Sequence, residues 1–340
     1  MSIVTSSFRA SCLALGAVVL SAALLTGCGS SAKSSAGEPV RRVGLMHVGT
    51  DHIPPSLGSL EARLKELGWI EGKNIKLMWR NLEPGQAAGQ ARKFVRERVD
   101  VIVAFEDQSI YAAQDATARA KEPIPIVFLH PSDPVRDGLV KSLSHPGGNL
   151  TGVFGPRDVV AKQLELYELL VPRLHRVLTL VDPDDPATAR LLPQYRTAAA
   201  HLTRPLELDI RQASTAQDLR RIFRSLRPGD VDGAFLLSPR LRLNFSSLTI
   251  RLAARAHLPV QAHRKDWVQK GALFSYGADL GPIGRAGARY VDSILRGTPP
   301  GDLSVEEVPT VEFAINLKTA ERLGIKLPQD MIIRADEVYR

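Results

Sequence analysis

His145–Pro156 reads HPGGNLTGVFGP, and this stretch decides how the chain is divided. It is rich in Gly and Pro, the strongest punctuators of local structure, so it reads as a connection. Before it, short β-branched runs alternate with amphipathic stretches. Apolar runs lie at Val43–Val48, Asn74–Arg80, Val99–Phe105 and Ile124–Leu129. Between the first two, Leu57, Leu60, Leu64 and Leu67 fall at helical spacing, and Gly68 fits a C-terminal cap. After the connection the alternation restarts, with apolar runs at Arg176–Val181, Pro205–Arg211, Val231–Leu237, Leu258–His263 and Ala272–Gly277. Strands alternating with helices imply βαβ units and parallel sheets covered on both faces. Two such runs imply an α/β protein of two doubly wound lobes. Open parallel sheets bind ligands beyond the carboxyl ends of their strands. Two facing lobes therefore predict a cleft that closes by hinging.

The first forty residues carry a different message. Residues 1–9 are polar with one positive charge at Arg9, and residues 10–25 are mostly apolar. This is the build of a secretory signal, and the run is shorter than the ~20 residues a membrane-spanning helix needs. Leu25-Thr26-Gly27-Cys28 follows directly and resembles a bacterial lipobox. In such signals the cysteine is lipidated, which marks Cys28 as the lipidation site of an exported protein anchored to the membrane on the periplasmic side or in the cell envelope. Gly29–Pro39 is Ser-, Gly- and Ala-rich and reads as a flexible tether. The only other cysteine is Cys12, inside the signal, so the body has no disulfide framework.

The formal net charge is +8, but its 44 Lys and Arg are interleaved with 36 Asp and Glu. The densest basic group is Asp218–Arg227, which fits a solvated helix face, and export argues against a nucleic-acid partner. Gly68–Asn74 (GWIEGKN) lacks the spacing of a phosphate loop. There is no G-x-S-x-G elbow, no H-E-x-x-H and no paired His spacing, so no catalytic residue, metal or cofactor is expected.

The informative positions are strand ends. Polar clusters follow the apolar runs at Glu106–Ser109, His130–Val140, Asp182–Pro186 and Ser238–Asn244. Helix N-termini at such ends offer free N–H groups that suit a carboxylate or phosphate.

Several stretches together resemble the substrate-binding proteins of ABC importers, in the branch of tryptophan- and tyrosine-type binders. They are LKELGWIEGKNIKLMWR, VDVIVAF, IPIVFLHPSDPVRDGLVKSLSHPGGNLTGV, FSYGADL and INLKTAERLGIKLPQDMIIRADEV. The resemblance implies a type I periplasmic-binding fold with three crossings between lobes, expected near Thr151, Gly277 and Val305. Residues 1–27 are then the signal peptide and 28–40 the tether. Lobe 1 is 41–150 plus 278–304, and lobe 2 is 151–277 plus 305–340. It implies capture of a small molecule, an amino acid or a small anionic solute, without catalysis. The partners implied are a permease and its ATPase, with the binding protein a monomer. By position, ligand contacts fall on Thr50, Asp51, Glu106, Asp107, Gln108, Ser132, Asp133, Asp182, Ser238, Tyr276 and Asp279. The segment after Leu237 departs from the family pattern by carrying Arg240 and Arg242, and Arg240 joins the predicted contacts because arginine favours an anionic group. Two other readings stand beside it: a lipid-anchored sensor or scaffold using the same cleft, and an exported hydrolase.

Overall fold

The computed structural model describes residues 39–49, 53–118, 120, 122–157 and 159–340. The signal, most of the tether, Cys28, Thr50 and Asp51 lie outside the described residues.

The first lobe begins β1 (Arg41–Val48), α1 (Pro55–Glu66), β2 (Ile75–Leu82), α2 (Ala87–Arg96), β3 (Val101–Phe105), α3 (Glu106–Thr117), β4 (Ile126–Leu129) and β5 (Leu150–Phe154). The second continues α4 (Val160–Leu170), β6 (Arg176–Val181), α5 (Pro186–Ala200), β7 (Glu207–Gln212), α6 (Ala216–Ser225), β8 (Gly233–Leu236), α7 (Pro239–Arg255), β9 (Val260–Ala262), α8 (Lys265–Gln269) and β10 (Phe274–Ala278). Then α9 (Leu280–Leu295) and β11 (Glu306–Glu307) return to the first lobe. β12 (Val311–Asn316), α10 (Leu317–Arg322), α11 (Gln329–Arg334) and β13 (Glu337–Tyr339) complete the second.

The first sheet has the order β11-β5-β4-β3-β1-β2, with every pair parallel. The second has the order β13-β12-β10-β9-β8-β6-β7, and only the β10–β12 pair is antiparallel. Strands such as β3, VIVAF, are buried along their whole length because helices cover both faces. Leu57, Leu60 and Leu64 of α1 pack with Ile283 and Val291 of α9 on one face of the first sheet. Phe94 of α2 and Ile110 of α3 cover the other. In the second lobe Tyr167 and Tyr195 lie under α4 and α5, and Leu219, Ile222 and Trp267 under the opposite layer. Each fully buried leucine contributes ~1.5–3 kcal/mol relative to exposure. The α1–α9 contact is close: a Cβ on Gly284 would lie 2.1 Å from the Ser56 carbonyl oxygen.

The crossings differ from expectation by a few residues. Thr151–Phe154 was expected to open the second lobe, but together with Leu150 it forms β5, which pairs with β4 in the first sheet. Its five residues are all buried, so it behaves as a strand despite the glycines around it. Glu306–Glu307 likewise joins the first sheet beside β5. The chain therefore passes between sheets after Phe154, after Ala278 and after Glu307.

Candidate functional site

A cavity of about 360 Å³ lies between the carboxyl ends of the two sheets. That is within the range of small-molecule sites. The first lobe supplies Glu106, which follows β3, and His130, Ser132 and Asp133, which follow β4. The second supplies Arg190 and Tyr195 from α5, Arg242 from α7, and His263, Arg264 and Trp267 after β9. Residues 190, 191, 194 and 195 all line it, one face of α5 at helical spacing. The crossing segment passes close by: a Cβ on Gly155 would meet the Ala278 Cβ at 2.9 Å and the His130 ring at 3.1 Å.

Two first-lobe residues of the cavity lining carry backbone strain. Glu106 has φ 63° and His130 has φ 60°, in the left-handed region that side chains other than glycine rarely adopt. Such strain collects at ligand clamps. The two are joined: His130 Nδ1 lies 3.1 Å from Glu106 Oε2. Burial works against ionising Glu106, but His130, His47 and Arg264 together outweigh it and hold its carboxyl below the usual range. Its neighbour behaves oppositely. Burial pushes the Asp107 carboxyl up to about 6, against hydrogen bonds from Ser132, with the Glu106 and Asp137 charges adding to the rise. Asp107 accepts from the Ser132 amide at 2.8 Å and its hydroxyl at 2.5 Å, which ties the β3 end to the β4 end.

The second-lobe side is organised by Gln163 of α4, which is fully buried. Its Oε1 accepts from the Tyr195 hydroxyl at 2.8 Å, and its Nε2 donates to the Tyr276 carbonyl at 2.7 Å and contacts His263 Nδ1 at 3.1 Å. Burial, helped by the Arg242 charge, holds His263 well below the usual histidine range, so its ring is neutral. The Arg264 guanidinium sits 5.7 Å from the Trp267 ring and pairs with Asp266 at 2.9 Å. Between lobes, Arg190 makes an ion pair with Asp137, and both side chains are largely shielded, 14% and 9% exposed.

Of the sequence-predicted contacts, Glu106, Ser132 and Asp133 line the cavity. Asp107 stands behind Ser132, and Gln108 has a buried Nε2 without a partner. Tyr276 packs its ring on Phe313, at 6.5 Å, while its carbonyl serves Gln163. Asp279 caps α9 by accepting from the Gly281 amide at 2.9 Å.

Asp182, Ser238 and Arg240 come together, but away from the cavity lining. The Asp182 amide donates to Ser238 Oγ at 2.7 Å, and its carboxylate accepts from the Ser214 hydroxyl at 2.7 Å and forms an ion pair with Arg240 Nε at 3.3 Å. The network binds the ends of β6 and β8 to each other. Arg240 and Arg242 lie about 200° apart around α7, so with Arg240 turned into that network Arg242 faces the cavity.

Sequence reading missed Arg190, Tyr195, His263, Arg264 and Trp267. His263 closes the run Leu258–His263 and Arg264 and Trp267 follow it, so these three could have been found by extending the same rule to HRKDW. The first two sit inside a helix, where no strand-end signal exists. Among the described residues no cluster of three or more His, Cys, Asp or Glu could hold a metal, and no helix is long and apolar enough to cross a membrane.

Two parallel-dominated sheets with a polar cavity at their facing carboxyl ends define a type I periplasmic binding protein. The chain belongs to the ABC transporter substrate binding protein family, whose model matches residues 47–339. It is similar to the tyrosine-binding protein of Clostridioides difficile (strain R20291), with 29% identity over 340 residues and 94% of each chain covered. Among solved structures it resembles a conserved domain protein from Vibrio cholerae O1 biovar El Tor, at 28% identity and TM-score 0.78. It also resembles an ABC domain from Streptococcus pneumonia in complex with L-Trp, at 21% identity and TM-score 0.76. Each comparison covers 88% of this chain and 99% of the other.

Proposed function

We propose that this protein is the solute-capturing component of an ABC importer. It takes an amino acid or small anionic solute into the cavity, closes, and presents the solute to a membrane permease driven by an ATPase. The carrying observation is a cavity of about 360 Å³ lined from both sheets and bridged by the Arg190–Asp137 pair. A solute touching both walls favours the closed arrangement, because only differential contacts shift such an equilibrium. The tyrosine and tryptophan recognition named for the relatives supports an amino acid, as do Trp267 and Tyr195 beside charged groups of both signs. The two lobes move as rigid bodies about the three sheet-to-sheet passages, and the protein acts as a monomer.

Cys28 and the segment after it would hold the lobes near the permease from outside the membrane. Cys28→Ser should abolish palmitate labelling in cells, and labelling that persists would sink the anchor. Solute capture itself is tested by a thermal-shift screen of amino acids, nucleobases, carboxylates and phosphates. A ligand at 100 times its Kd adds about 2.7 kcal/mol of stability. If no compound raises the melting temperature at millimolar concentration, the reading fails.

A further inference from the structure

Among the described residues, three donors on the second-lobe side of the cavity have no well-formed hydrogen bond or counter-charge left to satisfy them. The first follows from Gln163. Its Oε1 accepts from Tyr195 and its Nε2 donates to the Tyr276 carbonyl, so the amide orientation is fixed. His263 Nδ1, facing the same Nε2 at 3.1 Å, must then be an acceptor. The single ring proton sits on Nε2, which is buried and makes no well-formed hydrogen bond, although the ring interacts with the Leu236 carbonyl. The second donor is Arg190. One of its terminal nitrogens pairs with Asp137, and the other, Nη2, is buried without a partner. The third is Arg242. It lines the cavity, and among the described residues no carboxylate lies within 4 Å of it, whereas the cavity-lining Arg157, Arg190 and Arg264 each have one.

A buried donor without an acceptor is costly, and a guanidinium without a counter-charge more so. Arg190, Arg242 and His263 line the same cavity from the second lobe, and donors of this kind suit a planar anion. We propose that Arg242, the His263 Nε2–H and the free Nη2 of Arg190 form a carboxylate subsite on the second lobe, which selects solutes bearing that group. This rests on the solute-capture reading above and adds to it the chemical class and the recognising atoms. The opposite wall sets a limit. Glu106 and Asp133 line it, so a second anionic group there is disfavoured and an ammonium is accepted. Arg190 also links recognition to closure, because the guanidinium that would hold the carboxylate already holds Asp137 of the first lobe.

The test uses the full chain and pairs of compounds that differ only by the carboxylate: L-tyrosine with tyramine, and L-tryptophan with tryptamine. Succinate and succinamide, myo-inositol and adenine complete the set. Calorimetric titration should show binding of at least one carboxylate and about ten- to hundredfold weaker binding of its partner, the range for a hydrogen bond to a charged group. Arg242→Gln should weaken the carboxylate by a similar factor while leaving the melting temperature of the ligand-free protein unchanged. Arg242→Lys should recover part of it, since the charge returns without the planar fork. If Arg242→Gln does not fold, Arg242→Met, which keeps the length of the side chain and removes the charge, provides the comparison.

Equal binding within a pair overturns the subsite and leaves solute capture standing. So does unchanged carboxylate affinity in the folded variant, or binding of myo-inositol or adenine alone. Binding of none of these compounds overturns both.

Discussion

Gln163 is the most informative single substitution, because one fully buried amide serves three partners on three elements: Tyr195 on α5, the Tyr276 carbonyl on β10 and His263 after β9. Gln163→Leu keeps the volume of the side chain and removes all three interactions. Each buried hydrogen bond contributes about 1 kcal/mol net, and a buried group left without its partner costs about 1–3 kcal/mol. The Tyr195 hydroxyl and the Tyr276 carbonyl are both left in this way, and the leucine recovers some apolar transfer energy. The expected loss is therefore ~2–4 kcal/mol. In urea, with a slope of ~3 kcal/mol/M for a chain of this size, the midpoint should fall by about 1 M without a change in slope. Far-UV circular dichroism followed through a urea titration measures it. A loss below ~0.5 kcal/mol would refute the reasoning, since the amide would then hold nothing together. Gln163→Glu gives a second check. As a carboxylate it cannot donate to the Tyr276 carbonyl, but as an acid it can, so this variant should gain stability as the pH is lowered.

The Asp107 carboxyl, pushed up from 3.8 to about 6, keeps its proton in the folded protein across a window where the unfolded chain has lost it. Its contribution to stability is therefore lost as the pH rises from about 4 through 6. Asp107→Asn should become more stable relative to the parent across that window, by ~3 kcal/mol at most. Urea titrations at several pH values check this, and a difference flat from pH 4 to 7 contradicts it. Asp137→Asn removes the ion pair across the cleft, so small-angle scattering of the ligand-free protein should show a larger radius of gyration than the parent; an unchanged profile counts against a latch. Gly284→Ala puts a methyl group against the Ser56 carbonyl, and the α1–α9 contact should lose ~1–3 kcal/mol, read as a lower urea midpoint.

Most of the architecture was legible because parallel strands buried on both faces leave a continuous apolar signature, as in VIVAF and IVFL. The two misread strands lack it. Leu150–Phe154 contains Gly152 and lies among turn residues, and Glu306–Glu307 is two charged residues on a sheet edge. The site was legible only where chemistry sits at a strand end. Glu106, Ser132 and Asp133 could be placed by counting from an apolar run. Whether Arg240 or Arg242 faces the cavity depends on where α7 begins and on what Asp182 attracts, and neither is a local property. Arg190 reaches the cavity because α5 presents one face to it, a fact of packing between elements far apart in sequence.

The position of α9 has a consequence for how the chain is made. Its Leu280, Ile283 and Val291 complete the core beneath α1, yet they follow β6 to β10 in the chain. A ribosome adding ~5–20 residues per second delivers them on the order of ten seconds after β5. Until then Leu57, Leu60 and Leu64 have no cover on that side. The amino-terminal lobe, first to be synthesised, cannot be first to finish folding. The lobe in the middle of the sequence can assemble its central strands while the other waits, so a chaperone that binds nascent chains should find its apolar target in α1.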